Sequence, residues 1–212
     1  DVKAPLIASE RKAGQFIILQ TDLDKGERIP LTIADADPEK GSITLIFQVV
    51  GKTTEELSRF EPGDSLPVVV GPLGRATEIE NFGHVVCVGG GIGVAPLYPI
   101  AQALKKAGNR LTVISGARSA DLLILQEEMR LLADRVITVT DDGSAGRKGL
   151  VTEPLEELCK LPEGERPDIV FAIGPPIMIK FCSVTTRPYG IKTMVSLNTI
   201  MVDGTGMCGS CR

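Results

Sequence analysis

A chain of 212 residues with 43% hydrophobic content can bury a substantial core, as one large domain or two small ones. Its formal net charge of −4, with acidic and basic residues interspersed, offers no basic patch for nucleic acid. No apolar run reaches the roughly 18–20 residues needed to cross a bilayer and no charged-then-apolar leader opens the chain, so the expectation is a soluble, cytoplasmic protein.

To about Asn81 the sequence reads as short strands, Gln15–Gln20, Ile29–Ile33, Ser42–Val50 and Ser65–Val70. Turn clusters at Asp22–Gly26, Ala34–Gly41 and Glu61–Asp64 separate them, and one helical stretch, Thr53–Phe60, interrupts them. Such spacing predicts a small antiparallel barrel or sandwich over 1–81. After Phe82 the rhythm changes to strand His84–Val88, a glycine loop, helix Ala95–Ala107, strand Arg110–Ser115 and helix Leu122–Leu132. Strand Val136–Thr140, helix Thr152–Leu158, strand Asp168–Ala172 and helix Ile177–Thr185 follow. Alternating βα units of this length predict, over 82–200, an α/β domain with a parallel sheet wound by helices on both faces. A short third segment, 201–212, carries a cysteine motif. Asp1 is not an initiator residue and Arg212 stops inside that motif, so the natural chain is expected to extend both ways.

Tryptophan is absent and His84 is the only histidine, which removes Ser-His-Asp and His-rich metal chemistry. No side chain is assigned a catalytic role of its own, and the chemistry is expected to belong to cofactors. Five cysteines are an odd number, and without a secretion signal a disulfide framework is not expected. Cys87 in a strand and Cys159 and Cys182 in helical segments read as packing residues.

Three motifs carry chemistry. Gly89-Gly90-Gly91-Ile92-Gly93-Val94-Ala95-Pro96 runs from a buried-type strand into a helix. Glycine lets backbone approach a pyrophosphate, free amides at a helix start favour its charge, and Pro96 suits a first helical turn. The spacing departs from G-x-G-x-x-G, and a tight strand-to-helix turn is the plainer alternative. In Gly51-Lys52-Thr53-Thr54, Thr53 stands where it can cap a short helix, with Glu56 at capping-box spacing. That helix start could equally hold a phosphate. In Asp203-Gly204-Thr205-Gly206-Met207-Cys208-Gly209-Ser210-Cys211, the C-x-x-C brings two thiolates to one metal, and the glycines let amides turn toward inorganic sulfur. A redox disulfide or half a zinc site are the other readings of such a pair. Asp141-Asp142-Gly143-Ser144 follows a sheet strand where nucleotide contacts gather, or is an ordinary polar turn.

With these residues in view, the chain resembles the ferredoxin-NADP reductase superfamily over essentially its whole length. It is most similar to the small subunits of NADH-dependent reduced ferredoxin:NADP oxidoreductase and sulfide dehydrogenase, and more distantly to the dihydroorotate dehydrogenase electron-transfer subunit. The ordered set Pro30-Leu31-Thr32, Gly51–Thr54, Gly71-Pro72-Leu73-Gly74, Gly89–Pro96, Gly174-Pro175-Pro176 with Met178, and the cysteine loop carries the resemblance. It implies an FAD-binding barrel, an NAD(P)-binding α/β domain and a C-terminal [2Fe-2S] segment. The flavin would lie against Pro30-Leu31-Thr32, with Ile46-Phe47-Gln48 lining it and Thr53 and Thr54 near its pyrophosphate. The superfamily's flavin-phosphate arginine stands three residues before the Ser/Thr, whereas Arg28 stands four before Thr32. Gly89, Gly90, Gly91, Gly93, Pro96, Gly174, Pro175 and Met178 would hold the dinucleotide, with Arg118, Asp141 and Asp142 nearby. Arg118 is the residue that could meet a 2′-phosphate, and the expected cofactor is NAD(H) rather than NADP(H).

In the dihydroorotate branch a cysteine precedes the C-x-x-C. Here Asp203 holds that place, so the resemblance implies Asp203, Cys208 and Cys211 as cluster ligands with a last cysteine further on. The implied activity passes electrons between NAD(H), FAD and the cluster toward a larger flavoprotein subunit of a hetero-oligomer, with ferredoxin reached through that partner. The alternatives are the dihydroorotate-type electron-transfer subunit and a non-catalytic NAD(H)-binding scaffold or regulatory subunit.

Overall fold

The computed structural model describes residues 1–197 and 199–211. They form two compact units, 1–77 together with 199–211, and Glu78–Leu197. Among the described residues no helix is long and apolar enough to cross a membrane.

The first unit contains β1 (Val2–Lys3), α1 (Pro5–Glu10), β2 (Phe16–Gln20), β3 (Ile29–Asp37), β4 (Ser42–Leu45), α2 (Lys52–Leu57) and β5 (Val68–Leu73). The strands pair antiparallel in the order β1-β4-β3-β2-β5, the half-barrel that the strand spacing predicts. Register shifts between Phe16 and Ile18 and between Ile33 and Asp35 bend the sheet around its core. Ile17, Leu19, Ile33 and Ile43 are fully or almost fully buried there, joined by Ile7 and Leu57.

Four boundaries differ from the sequence reading, each for a local reason. β3 runs on to Asp37 through what reads as a turn cluster, because Ala36 and Asp37 find partners in Ile43 and Ser42 and Arg11 pairs with Asp35 at 3.0 Å. β4 stops at Leu45, its last partnered residue, so 46–50 is irregular and Phe47 packs on the core instead of extending the ladder. β5 begins only at Val68, after Pro67, which has no N–H to give a ladder. α2 begins at Lys52, so its cap is Gly51 and not Thr53. Thr54, the third helical residue, supplies the bond: its Oγ1 accepts the Gly51 N–H at 3.0 Å and the Val50 N–H at 3.1 Å.

The second unit contains β6 (His84–Gly90), α3 (Val94–Lys106), β7 (Arg110–Ala117), α4 (Gln126–Leu132), β8 (Arg135–Thr140) and β9 (Arg147–Lys148). It continues with α5 (Thr152–Cys159), β10 (Ile169–Ile173), α6 (Pro176–Thr186) and β11 (Lys192–Val195). Six parallel strands lie in the order β11-β10-β6-β7-β8-β9. The run Val85-Val86-Cys87-Val88 has no exposed surface, as a central parallel strand covered on both faces requires. α3 turns Val94, Leu97, Ile100, Ala101 and Leu104 inward. Burying the larger of these contributes about 1.5–3 kcal/mol each, which outweighs the roughly 3 kcal/mol cost of Pro99 in the helix.

The predicted helix Leu122–Leu132 starts late. Leu125 takes a left-handed conformation, φ 53°, that no right-handed helix can include, and α4 begins at the next residue. Cys87, Cys159 and Cys182 are packing residues as expected. Burial pushes the Cys87 thiol up, Cys159 up to about 11 and Cys182 up to about 12.

His84 opens β6 and is buried. Its Nδ1 lies 2.9 Å from the Glu165 carbonyl, which can only accept, so Nδ1 carries the proton and Nε2 accepts from the Thr112 hydroxyl at 3.0 Å. Burial above all, and the Arg110 guanidinium next, hold its pKa below the ordinary 6.5. The unfolded chain therefore binds this proton more readily. The stability that neutral His84 confers is complete above about pH 6.5 and is lost as pH falls toward the lower folded value. Urea unfolding between pH 7 and 5 is expected to show stability falling by no more than about 1.4 kcal/mol per pH unit, the limit for one proton. His84→Gln should be less stable at pH 7 and show a flatter slope, since the chain has no other histidine. Equal slopes would remove His84 as the cause.

Candidate functional site

In the second unit the chain enters the sheet at β6, builds outward through β7, β8 and β9, and returns to the other side of β6 with β10 and β11. The carboxyl ends of β6 and β10 therefore diverge at a topological switch point, where open α/β sheets bind ligands. Two of the glycine motifs meet there. A methyl group at Gly90 would lie 2.4 Å from Met178 Sδ and 3.1 Å from Pro175 Cδ. One at Gly174 would lie 2.7 Å from Met178 Cε and 3.1 Å from the Gly90 nitrogen. Gly93 is held as closely, its missing methyl 2.5 Å from the Ile173 carbonyl oxygen.

Gly91 differs from its neighbours. It sits at φ +55° with open space where a side chain would be. The backbone there can meet a ligand directly. A 3-10 turn over Gly91–Gly93 leads into α3, which has no side-chain cap and no acidic residue in its first turn, a helix start that suits an anion. Pro96, in that first turn, has no N–H to leave unsatisfied.

The loops after β7 and β8 lie next to each other. The Asp141 N–H donates to the Ala117 carbonyl at 3.1 Å and the Asp142 N–H to the Arg118 carbonyl at 3.2 Å. Arg118, Asp141 and Asp142 are all exposed. Asp142 shapes its own turn: the Ser144 hydroxyl and N–H donate to it at 2.6 and 2.9 Å and hold its carboxyl below the ordinary range. Ser144 Oγ in turn accepts the Ala120 N–H at 2.8 Å, tying the two loops together. The sequence reading included Ser144 in this stretch, and Asp-x-Ser is a turn signal. It missed Gln126, whose amide donates to Ser115 at 2.8 Å and accepts from Thr138 at 2.9 Å beneath this edge.

In the first unit, Pro30 and Thr32 pair with Ile18 and Phe16, while Leu31 packs on the core with Phe47. Pro30 and Thr32 thus share the sheet face that points away from the core. Ile46 is partly buried, whereas Arg28, Gln48 and Gly51 are exposed. Thr53 is buried and Thr54 is occupied by its cap. An open concavity of about 1260 Å³ lies elsewhere, lined by Val2, Leu45, Phe47, Leu57, Phe60 and Val69. These are side chains of the core or packed on it, so it is the open side of the half-barrel.

In the cysteine loop, Cys208 and Cys211 are exposed free thiols. Gly204, Gly206 and Gly209 adopt φ of +80°, +86° and +69°. Asp203 accepts the Thr205 hydroxyl and the Thr205 N–H. Those bonds, with the Arg28 charge adding to them, hold its carboxyl below the ordinary range. Among the described residues no three His, Cys, Asp or Glu side chains gather in a metal-binding group, so Asp203, Cys208 and Cys211 are not brought together. The donor set nonetheless fits an iron-sulfur cluster in chemistry: two free thiols and an ionised carboxylate on a glycine-turned loop.

The model of the Oxidoreductase NAD-binding domain family matches residues 87–184. The "Dihydroorotate dehydrogenase B (NAD(+)), electron transfer subunit homolog" of Thermotoga maritima is 52% identical over the whole chain, which covers 73% of that protein. The probable subunit of the same description from Methanopyrus kandleri is 36% identical over 93% of this chain and 72% of its own. A solved structure of NADH-dependent reduced ferredoxin-NADP oxidoreductase superposes with a TM-score of 0.90 at 50% identity, covering 99% of this chain and 74% of that one. The half-barrel and the parallel sheet thus have the fold of a solved relative alike across 99% of the chain. The chain belongs to the ferredoxin-NADP reductase-like family of NAD-binding oxidoreductases, among the electron-transfer subunits related to that of dihydroorotate dehydrogenase B.

Proposed function

We propose that this electron-transfer subunit binds FAD on the half-barrel, NAD(H) at the β6–β10 edge and a [2Fe-2S] cluster on the 203–211 loop, and serves a larger flavoprotein partner. The observation that carries the reading is the meeting of Gly90, Gly174 and Met178 beside the open backbone at Gly91. A dinucleotide needs such a surface, with no side chain between its pyrophosphate and the amides. Gly89, Gly91, Gly93 and Pro96 would line the pyrophosphate, and Gly90, Gly174, Pro175 and Met178 would border the crevice. Arg118 and Asp141 would flank the adenosine end, with Asp142 holding the turn, and NAD(H) is the proposed substrate.

On the first unit, Pro30 and Thr32 would face the flavin ring with Leu31 backing them from the core, and Ile46–Gln48 would border it. Arg28, Gly51, Thr53 and Thr54 would stand toward the flavin phosphates. Bound flavin supplies the exchange of a two-electron hydride for single electrons, which a [2Fe-2S] cluster can carry onward. The chain's residues orient and tune these groups. Three segments follow, 1–81 for FAD, 82–200 for NAD(H) and 201–212 for the start of the cluster segment, in a cytoplasmic hetero-oligomer.

A second reading, the dihydroorotate-type subunit, is favoured by the names of several relatives. Asp203 separates the two, since that branch would have a thiolate there. An oxygen ligand is harder than sulfur and shifts the cluster's potential.

Two measurements test the proposal. Full-length protein reconstituted with FAD, iron and sulfide should show flavin and iron-sulfur absorption and NADH-dependent dye reduction, with NADPH the poorer donor. Protein that takes up neither group would be a scaffold. Asp203→Cys should keep a cluster and change both its midpoint potential and its paramagnetic resonance signal. Spectra identical to those of the unaltered protein would remove Asp203 from the ligand set.

A further inference from the structure

β2 has an unusual pair of faces. Ile17 and Leu19 point into the half-barrel core and are completely buried. Ile18, between them, points to the opposite face, which an antiparallel sheet of this kind ordinarily leaves to water. Yet Ile18 is only 3% exposed. What covers it is the loop that precedes the cysteines. Gly204 is buried while 205–211 are exposed, so the loop touches the sheet at this one point before running out into solvent. A methyl group at Gly204 would lie 2.6 Å from both Cδ1 and Cγ1 of Ile18, and 3.2 Å from Met201 Sδ. The residue also sits at φ +80°, so a side chain is excluded there by conformation as well as by space.

The register gives this contact a direction. Ile18 pairs with Pro30 on one side and Val70 on the other, so its side chain lies beside Pro30 on the face that carries Thr32. Its Cγ1 and Cδ1 also meet Gly204, the neighbour of Asp203. One aliphatic side chain therefore stands between the strand assigned to the flavin and the loop assigned to the cluster.

We propose that Ile18 is a positioning residue that docks the cluster loop through Gly204 onto the flavin-bearing face of the half-barrel and so sets the gap that electrons cross. The inference rests on the flavin and cluster reading above. Because electron transfer falls off exponentially with separation, a contact that fixes the gap governs the rate without touching either group. The contact is apolar and, among the described residues, no backbone hydrogen bond joins the loop to β2, so shortening one side chain loosens the loop while leaving the ladder intact.

The test compares the reconstituted full-length protein with its Ile18→Ala and Ile18→Val variants. Amide hydrogen exchange at 203–206 should rise roughly tenfold in Ile18→Ala and by less in Ile18→Val, which keeps Cγ1 and loses Cδ1. After mixing with NADH, reduction of the cluster should slow in Ile18→Ala, with flavin content and flavin bleaching unchanged. Unchanged exchange and unchanged cluster reduction in Ile18→Ala would overturn the proposal. If Ile18→Ala does not fold, Gly204→Ala takes its place, because it displaces the loop from outside the sheet and the same two readouts decide. Unaltered protein that binds neither flavin nor iron would instead overturn the cofactor reading, and the exchange data alone would then report whether the loop is docked at Ile18.

Discussion

At the paired ends of β6 and β10, three glycines stand where there is no room for side chains. Gly90, Gly93 and Gly174 each lie so close to Met178, Pro175 or the Ile173 carbonyl that an added methyl would fall within 2.4–2.7 Å of an atom. The exclusion follows from the sheet order, which sends the chain to one side of β6 and brings it back on the other. Backbone is then the material that these three glycines present to the site. An edge built of backbone, opening at Gly91 and followed by an uncapped helix, suits a ligand that brings its own negative charge.

The first unit works by a different economy of surface. Its core needs one face of β2, and Ile17 and Leu19 supply it. The other face is where Pro30 and Thr32 project and where Gly204 comes down on Ile18. Apolar burial on both sides of so short a strand ties the 199–211 segment to the half-barrel without a disulfide or a long ladder. Arg28 contributes at longer range, as a charge felt by Asp203.

Much of this was legible in residues. The run Val85–Val88 reads as a buried-type strand, and the glycines after it as a nucleotide loop or a tight turn; the strand is buried, and Gly90 and Gly93 are closely approached. The ordered loops from Pro30 to Met178 carried the family, which the relatives bear out. Other features depend on partners far along the chain. Ile46–Val50 reads as part of a strand, but Leu45 is the last residue of β4 that pairs with β3. The acidic stretch after Ala34 reads as a turn until Arg11 neutralises Asp35. Nothing local announces that Leu125 will take a left-handed conformation and delay α4. The unbroken Ile17-Ile18-Leu19 was the overlooked signal, since a strand apolar on both faces must be covered twice.

The central claim is the proposal that the glycine-built edge of the second unit binds NADH for flavin reduction. Its most direct test is single-turnover flavin bleaching by NADH, without oxygen, in the reconstituted full-length protein and in Gly90→Val. The branched side chain would push Met178 and Pro175 into the crevice while leaving the half-barrel unchanged. At equal flavin content the variant should bleach between roughly ten- and a hundredfold more slowly. Bleaching at the unaltered rate in Gly90→Val would contradict the account.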